Sequence, residues 1–258
     1  MPQPAQPPFG IIMHALHKSA SMFLYELMFR LSREKGIRMF SANHPEPDDH
    51  LLAGHDLSDQ SFCLGPQRDF RREPEGFPES IEIRRIFQLR DPRDILVSQY
   101  YSFGWSHTEN HFDEDAREIR EQIQRMTIDE YVLDESHALR RMRNHLKPLL
   151  RVPPEEADVV VHYEQMVTDF KGWLSRFIIP FRFKRFGVRS QRIITARYAF
   201  RYRNEFRPDT RPNSHKRSVL PGDHQRRLKP GTIIKLNEEL EEFLQRFGYL
   251  DSTRSRLA

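Results

Sequence analysis

Apolar residues follow two rhythms along this chain, and the switches between them mark the elements. Residues 9–16 are almost continuously apolar, which predicts a buried parallel strand. Residues 21–35 then place Met22, Phe23, Leu27, Met28 and Leu31 at helical spacing, and Gly36 marks the end of that helix. Residues 37–41 predict a second strand, 61–65 a short one, and 83–89 (IRRIFQL) another. The polar stretch 43–60, rich in His, Asp and Pro, reads as a loop, and 66–80 as a Pro- and Arg-rich connection. A helix is expected to begin over 94–101, and the charged segment 111–150 reads as two or three helices. Residues 157–163 (ADVVVHY) predict a strand, 165–178 and 187–199 helices, 203–230 an irregular basic stretch, and 231–247 an amphipathic closing helix. Strands alternating with helices imply an α/β fold, a central parallel sheet flanked by helices.

A chain of 258 residues suits one large domain, or one domain with an insertion. The expected organisation is a disordered Pro-rich tail over 1–8, a domain over 9–250 with a helical insertion at about 104–150, and a flexible end over 251–258. The opening MPQPAQPP lacks a basic region followed by an apolar one, so no secretory signal is expected. No segment is long and apolar enough to suggest a membrane span. Cys63 is the one cysteine, which excludes an intramolecular disulfide and reads as a buried, inert thiol. That usage fits a reducing compartment, and a cytoplasmic location is expected. No metal-ligand spacing stands out, and no metal is expected.

The net charge of +4, from 41 basic and 37 acidic side chains, says little by itself. Its distribution says more, because Arg clusters recur at 84–93, 139–151, 182–203 and 207–229. Such clusters are either solvated surface or anion sites, since the guanidinium fork matches phosphate and sulfate. Residues 11–24 (IIMHALHKSASMFL) sharpen the question. A strand that feeds a helix through a tight turn leaves free N–H groups and a positive dipole end at one spot, where phosphate binds readily. Lys18 adds a full charge there, and Ser19 and Ser21 add hydroxyls. The glycines of a Walker A loop are missing. An ordinary βα turn with a Ser capping the helix would have the same composition. Strand 83–89 ends in Arg90, which this reading places at the same sheet edge as Lys18, beyond the strands' carboxyl ends. Ser98 follows eight residues later, either as a second phosphate contact or back-bonded to helix carbonyls.

HKSASMF followed by LRDPRDILVSQYYSF resembles the sulfotransferase family that uses 3′-phosphoadenosine 5′-phosphosulfate (PAPS). In that family a PKSGTTW-like loop cradles the 5′-phosphosulfate, and an RNPRDxxVSxYxF-like segment holds the 3′-phosphate. The resemblance implies a P-loop-NTPase-like architecture and carries Lys18, Ser19, Ala20, Ser21 and Met22 onto the loop. It carries Phe23 onto a ring that stacks on adenine, and Arg90 and Ser98 onto the 3′-phosphate. VVVHYEQM resembles a strand whose Tyr lies near adenine, here Tyr163. HKRSVLPGDHQRRL resembles an RKGxxGDWxxxL segment that closes over the 3′-phosphate, and puts Arg217 on its Arg with Lys216 beside it. The departures are His17 for the loop Pro, Ala20 for its Gly, His224 for the Trp of GDW, and Ser218 and Val219 for the Lys and Gly of RKG.

The implied reaction moves a sulfuryl group in line to a hydroxyl or amine of a small-molecule or glycan acceptor, with Lys18 at the leaving oxygen and no metal. The acceptor needs a general base. The KTHLP-like segment that supplies it in some members is missing, and CLGPQRDF offers only Gln67 and Arg68 in its place. His44 is the favoured base, because His titrates near neutral, with Glu46, His17 and His107 as alternatives. His14 reads as a sheet-top residue, and His145 and His162 as structural. Segment 104–150 is the expected acceptor side, where Tyr101 and Trp105 either line the pocket or pack in a core, and Trp173 reads as core. Two other functions compete. A small-molecule kinase would share the loop, but ATP has no 3′-phosphate for Arg90 and Ser98. A nucleic-acid binder would use the Arg and aromatic residues of 197–229, yet no nucleic-acid module signature appears and no such partner is expected.

Overall fold

All seven residues of β1 (Phe9–Ala15) are buried, as a nearly unbroken apolar run requires of a strand covered on both faces. It belongs to a computed structural model that describes residues 7–40, 60–68, 81–106, 114–151, 154, 158–183 and 219–250. The described residues fall into two compact units, one within Met1–Leu89 and Pro153–Arg197, the other within Arg90–Val152 and Tyr198–Ala258.

The first unit holds the sheet. Its strands are β1, β2 (Arg38–Phe40), β3 (Phe62–Gln67), β4 (Glu82–Leu89) and β5 (Val159–His162). Their order is β2-β3-β1-β4-β5, and every neighbouring pair is parallel. The carboxyl ends therefore share one edge, and the strand that follows β1 in the chain lies on one side of the β1–β4 pair while the strand that follows β4 lies on the other. That reversal is the topological switch point at which open α/β sheets bind ligands. Strand β3, expected over 61–65, runs on to Gln67 and fills the place between β1 and β2. Gly65 (φ 128°), whose bond to Pro66 is cis, allows this close fit, because a Cβ there would lie 2.6 Å from the Met13 carbonyl oxygen. Cys63 is fully buried in β3, and burial pushes its thiol pKa up to about 12.

Helix α1 (Ser21–Lys35) matches its expected limits. Gly36 (φ 73°) closes it by donating its N–H to the Arg33 and Ser32 carbonyls. The face bearing Phe23, Leu24, Leu27, Met28 and Leu31 is buried, while Met22 and Phe29 stay exposed. The helix expected over 165–178 is two, α6 (Tyr163–Thr168) and α7 (Phe170–Phe177). Asp169 separates them because its carboxylate accepts the Gly172 N–H and caps the second. Trp173 on α7 is fully buried and donates its indole N–H to Gln88 Oε1 at 3.0 Å, which satisfies a fully buried amide on β4.

The second unit is helical among its described residues. Helix α2 (Pro92–Tyr101) starts two residues before the expected Asp94, because Asp91 caps it and Pro92 takes the first position. A π-helical turn (Ser102–Ser106) continues it, and Arg120 and Gln124 donate to the Gly104 carbonyl that this turn leaves open. Three helices follow, α3 (Glu114–Arg125), α4 (Ile128–Val132) and α5 (Ala138–Arg151). A capping box of Thr127 and Glu130 opens α4. The stretch expected to be irregular over 203–230 contains a short helix, α8 (Asp223–Arg227). The expected closing helix breaks at Leu240 into α9 (Pro230–Glu239) and α10 (Glu241–Arg246). The expected helix at 187–199 lies outside the described residues. Among the described residues no helix is long and apolar enough to cross a membrane.

Candidate active site

The turn from β1 to α1 lies at the carboxyl edge, beside the switch point. Leu16 prolongs the sheet by donating its N–H to the Gln88 carbonyl at 3.2 Å. The Leu16 carbonyl then accepts both the Ser19 N–H and the Ser19 hydroxyl. Ser19 is fully buried, so its hydroxyl builds the turn instead of facing a ligand. Lys18 (φ 63°) and Ala20 (φ 69°) are both left-handed, which costs a non-glycine residue about 1–2 kcal/mol each. Ala20 thus takes the backbone that a glycine would take without strain, and it caps α1 with no side-chain bond. Neither Ser19 nor Ser21 is the helix cap that an ordinary turn would use.

The first bond of α1 runs from the Leu24 N–H to the Ala20 carbonyl, so the N–H groups of Ser21 and Met22 have no partner inside the helix. No acidic residue stands in the first turn. The positive end of the dipole is therefore uncompensated by the helix's own side chains, and half-buried Lys18 adds to it. Such a cradle suits an anion. Phe23 is buried with Phe170 at 6.0 Å and Trp173 at 6.5 Å, because its position falls on the core face of α1. Tyr163, also buried, follows directly on β5 as the first residue of α6.

Arg90 begins the second unit, directly after β4, and is buried. The next residues build helix α2 into its surroundings. Asp91 accepts the Arg93 N–H at 2.9 Å and holds the Arg93 guanidinium through two further bonds of 3.0 and 2.7 Å. Arg93 also reaches Asn237 Oδ1 and the Tyr249 carbonyl. Asp94 is bound by Gly222 and His224. Burial raises the Asp94 pKa, but bonds from His224 and the nearby charge of Arg90 outweigh it and hold the carboxyl below its usual range. Ser98, half-buried on α2, makes no hydrogen bond through its hydroxyl among the described residues. The back-bonded reading of Ser98 is thus not what the helix does.

Other Arg side chains also serve packing. Arg84 lies 4.2 Å from the Phe9 ring centroid and bonds Glu82 and the Pro180 carbonyl. Arg143 bridges Glu135 and Glu239. His14, expected at the sheet top, is buried within β1 and stacked on Phe87 at 5.1 Å. Burial and the charge of Arg85 push its pKa down to about 4, so it is neutral at physiological pH.

A sulfotransferase domain model matches residues 74–247, more than half of the chain. The chain belongs to the sulfotransferase domain family. It is an enzyme, and its reaction moves a sulfuryl group from PAPS to an acceptor. Solved sulfotransferase structures share the fold. A mouse sulfotransferase, SULT7A1, crystallised with PAP, is 13% identical at a TM-score of 0.60, over 92% of this chain and 84% of that one. A retinol dehydratase in complex with androsterone and the inactive cofactor PAP is 13% identical at a TM-score of 0.55, over 93% of this chain and 82% of that one. No curated protein matches the sequence. Neither the kinase nor the nucleic-acid reading finds support in these likenesses.

Within the sulfotransferase match lie Arg90, Ser98 and Tyr163, whereas the turn carrying Lys18 precedes it. His44, Glu46, His107, Lys216 and Arg217 lie outside the described residues. Sequence reasoning missed the bonding of Asp91, Arg93 and Asp94. A signal for the first was present, since Asp followed by Pro is a cap and first-turn pair. His224 was read only as a departure from the family pattern, and nothing in its spacing announces the bond to Asp94.

Proposed function

We propose that this sulfotransferase sulfates a hydroxyl or amine of a small-molecule or glycan acceptor, gripping PAPS at both ends. Lys18 and the Ser21 and Met22 amides take the 5′-phosphosulfate, and Arg90 and Ser98 take the 3′-phosphate. The observation that carries this reading is the start of α1, where Lys18 and unshared N–H groups meet with no acid in the first turn. Tyr163 is assigned to the adenine side, and Lys216 and Arg217 to the 3′-phosphate.

In the reaction the acceptor oxygen or nitrogen forms a bond to sulfur as the bond from sulfur to the phosphate oxygen breaks. The base takes the acceptor proton, and PAP leaves. Lys18 stabilises the charge that gathers on the departing oxygen, where a fixed cation contributes most. His44 is assigned as the base, with Glu46 next in line. His44→Ala should lose turnover and keep its affinity for PAP, and unchanged turnover in single-cycle assays would pass the role to Glu46. A small-molecule acceptor accords with the androsterone in the retinol dehydratase complex. A single cysteine, buried in β3, fits a reducing compartment, and the cytoplasm is assigned.

Calorimetry with PAP and with ATP–Mg²⁺ tests the donor. Tight PAP binding and weak ATP binding are expected, and the reverse would favour a kinase. An acceptor screen with sulfur-labelled PAPS then identifies the acceptor class.

A further inference from the structure

The buried carboxylate of Asp94 makes no hydrogen bond to a Lys or Arg side chain among the described residues. Asp94 is the third residue of α2 and is 1% exposed. Its Oδ2 accepts the Gly222 N–H at 2.7 Å, and its Oδ1 accepts the His224 N–H at 2.9 Å and the His224 Nδ1–H at 2.6 Å. Both oxygens are thus taken by one turn. Gly222 (φ 77°) supplies the left-handed bend that brings two backbone N–H groups and one ring nitrogen to the same carboxylate. An ionised carboxylate only accepts, so the geometry puts the His224 proton on Nδ1. His224 is 2% exposed, and its Nε2 finds no hydrogen-bond partner among the described residues. Among the described residues its polar attachment through the ring is therefore Asp94, with Asp91 Oδ2 next nearest at 4.0 Å.

We propose that Asp94 and His224 are positioning residues for the PAPS donor: their bond locks the 222–224 turn onto the start of α2 and so fixes where Arg90 points. This rests on Arg90 as a 3′-phosphate ligand. Arg90 stands two residues before the first residue of α2, and Asp94 comes one helical turn after Arg90. The charge of Arg90 reaches Asp94, yet the oxygens of Asp94 belong to the turn. Asp94 can therefore balance that charge without binding the guanidinium. At the same helix start, Asp91 holds the Arg93 guanidinium through two hydrogen bonds. Asp94 thus ties the first turn of α2 to the 222–224 turn, and Asp91 ties it to Arg93.

The test measures steady-state constants for donor and acceptor separately, PAP affinity by calorimetry, and Tm, on the full chain. Asp94→Asn and His224→Leu should each raise the donor KM and the PAP Kd about tenfold, the scale of one lost charge-assisted bond, and leave the acceptor KM unchanged. His224→Asn offers an N–H close to the Nδ1 position and should recover most of the loss. If His224→Leu folds and binds PAP as the wild type does, the proposal is overturned. It is equally overturned if His224→Asn fails to recover donor affinity while matching the wild-type Tm. Should Asp94→Asn not fold, the two His224 variants decide alone. A wild type that does not bind PAP overturns the donor reading itself, which separates that failure from failure of the latch.

Discussion

The β1–α1 turn and the Arg90–Asp94 stretch carry the two motif matches, and they are built in opposite ways. The turn is made by backbone groups and the one hydroxyl of Ser19. One carbonyl, that of Leu16, collects the bonds that shape it, and Lys18 and Ala20 bear left-handed strain. The Arg90–Asp94 stretch is made by side chains, since Asp91, Arg93 and Asp94 are all buried and bonded within the second unit. A motif match alone would assign each stretch wholly to the ligand. The bonding assigns much of each stretch to architecture, and the donor roles proposed for Lys18, Arg90 and Ser98 are what the variants below test.

Four variants test that division, beginning with the largest expected effect. Arg93→Ala leaves the Asp91 carboxylate buried without its partner and should cost about 3–5 kcal/mol, read by denaturant unfolding. An unchanged midpoint would mean that the pair does not hold the second unit together. Lys18→Ala should lower kcat by about 10²–10³, as loss of one fixed charge-stabilising donor does elsewhere. Its stability should hardly change, because the turn is fixed by backbone bonds. Arg90→Ala should chiefly weaken PAP, by roughly tenfold to a hundredfold for a charged contact to phosphate. Wild-type affinity in that variant would remove Arg90 from the donor site. Ala20→Gly should stabilise the fold by about 1 kcal/mol through relief of the left-handed strain at φ 69°. A loss of stability there would show that the turn pays for the bend elsewhere.

Much of the first unit was legible in the sequence, because its signals are local. The apolar run of β1, the helical spacing of α1 and the glycine at 36 each act within a few residues. The second unit was less legible, because its decisive bonds link distant positions. Asp94 to His224 spans 130 residues, and Arg93 to Tyr249 spans 156. Periodicity carries no trace of such pairs. The split between α6 and α7 was missed for a different reason. Apolar spacing continues across Asp169, and only its capping bond reveals the break. Phe23 illustrates the same limit within a motif. Its place on the family loop pointed to adenine, while its place on the helical stripe pointed to the core, where it packs. Backbone strain at Ala20 could be suspected only from the glycine it replaces.

Cys63 gives the molecule a built-in clock. It lies in β3 between β1 and β2, shielded from solvent, with a thiol that stays protonated at physiological pH. An alkylating reagent can attack only after that part of the sheet parts, so the labelling rate reports how often the first unit opens. Comparing that rate in Arg93→Ala and wild type would reveal whether damage in the helical unit is felt by the strands.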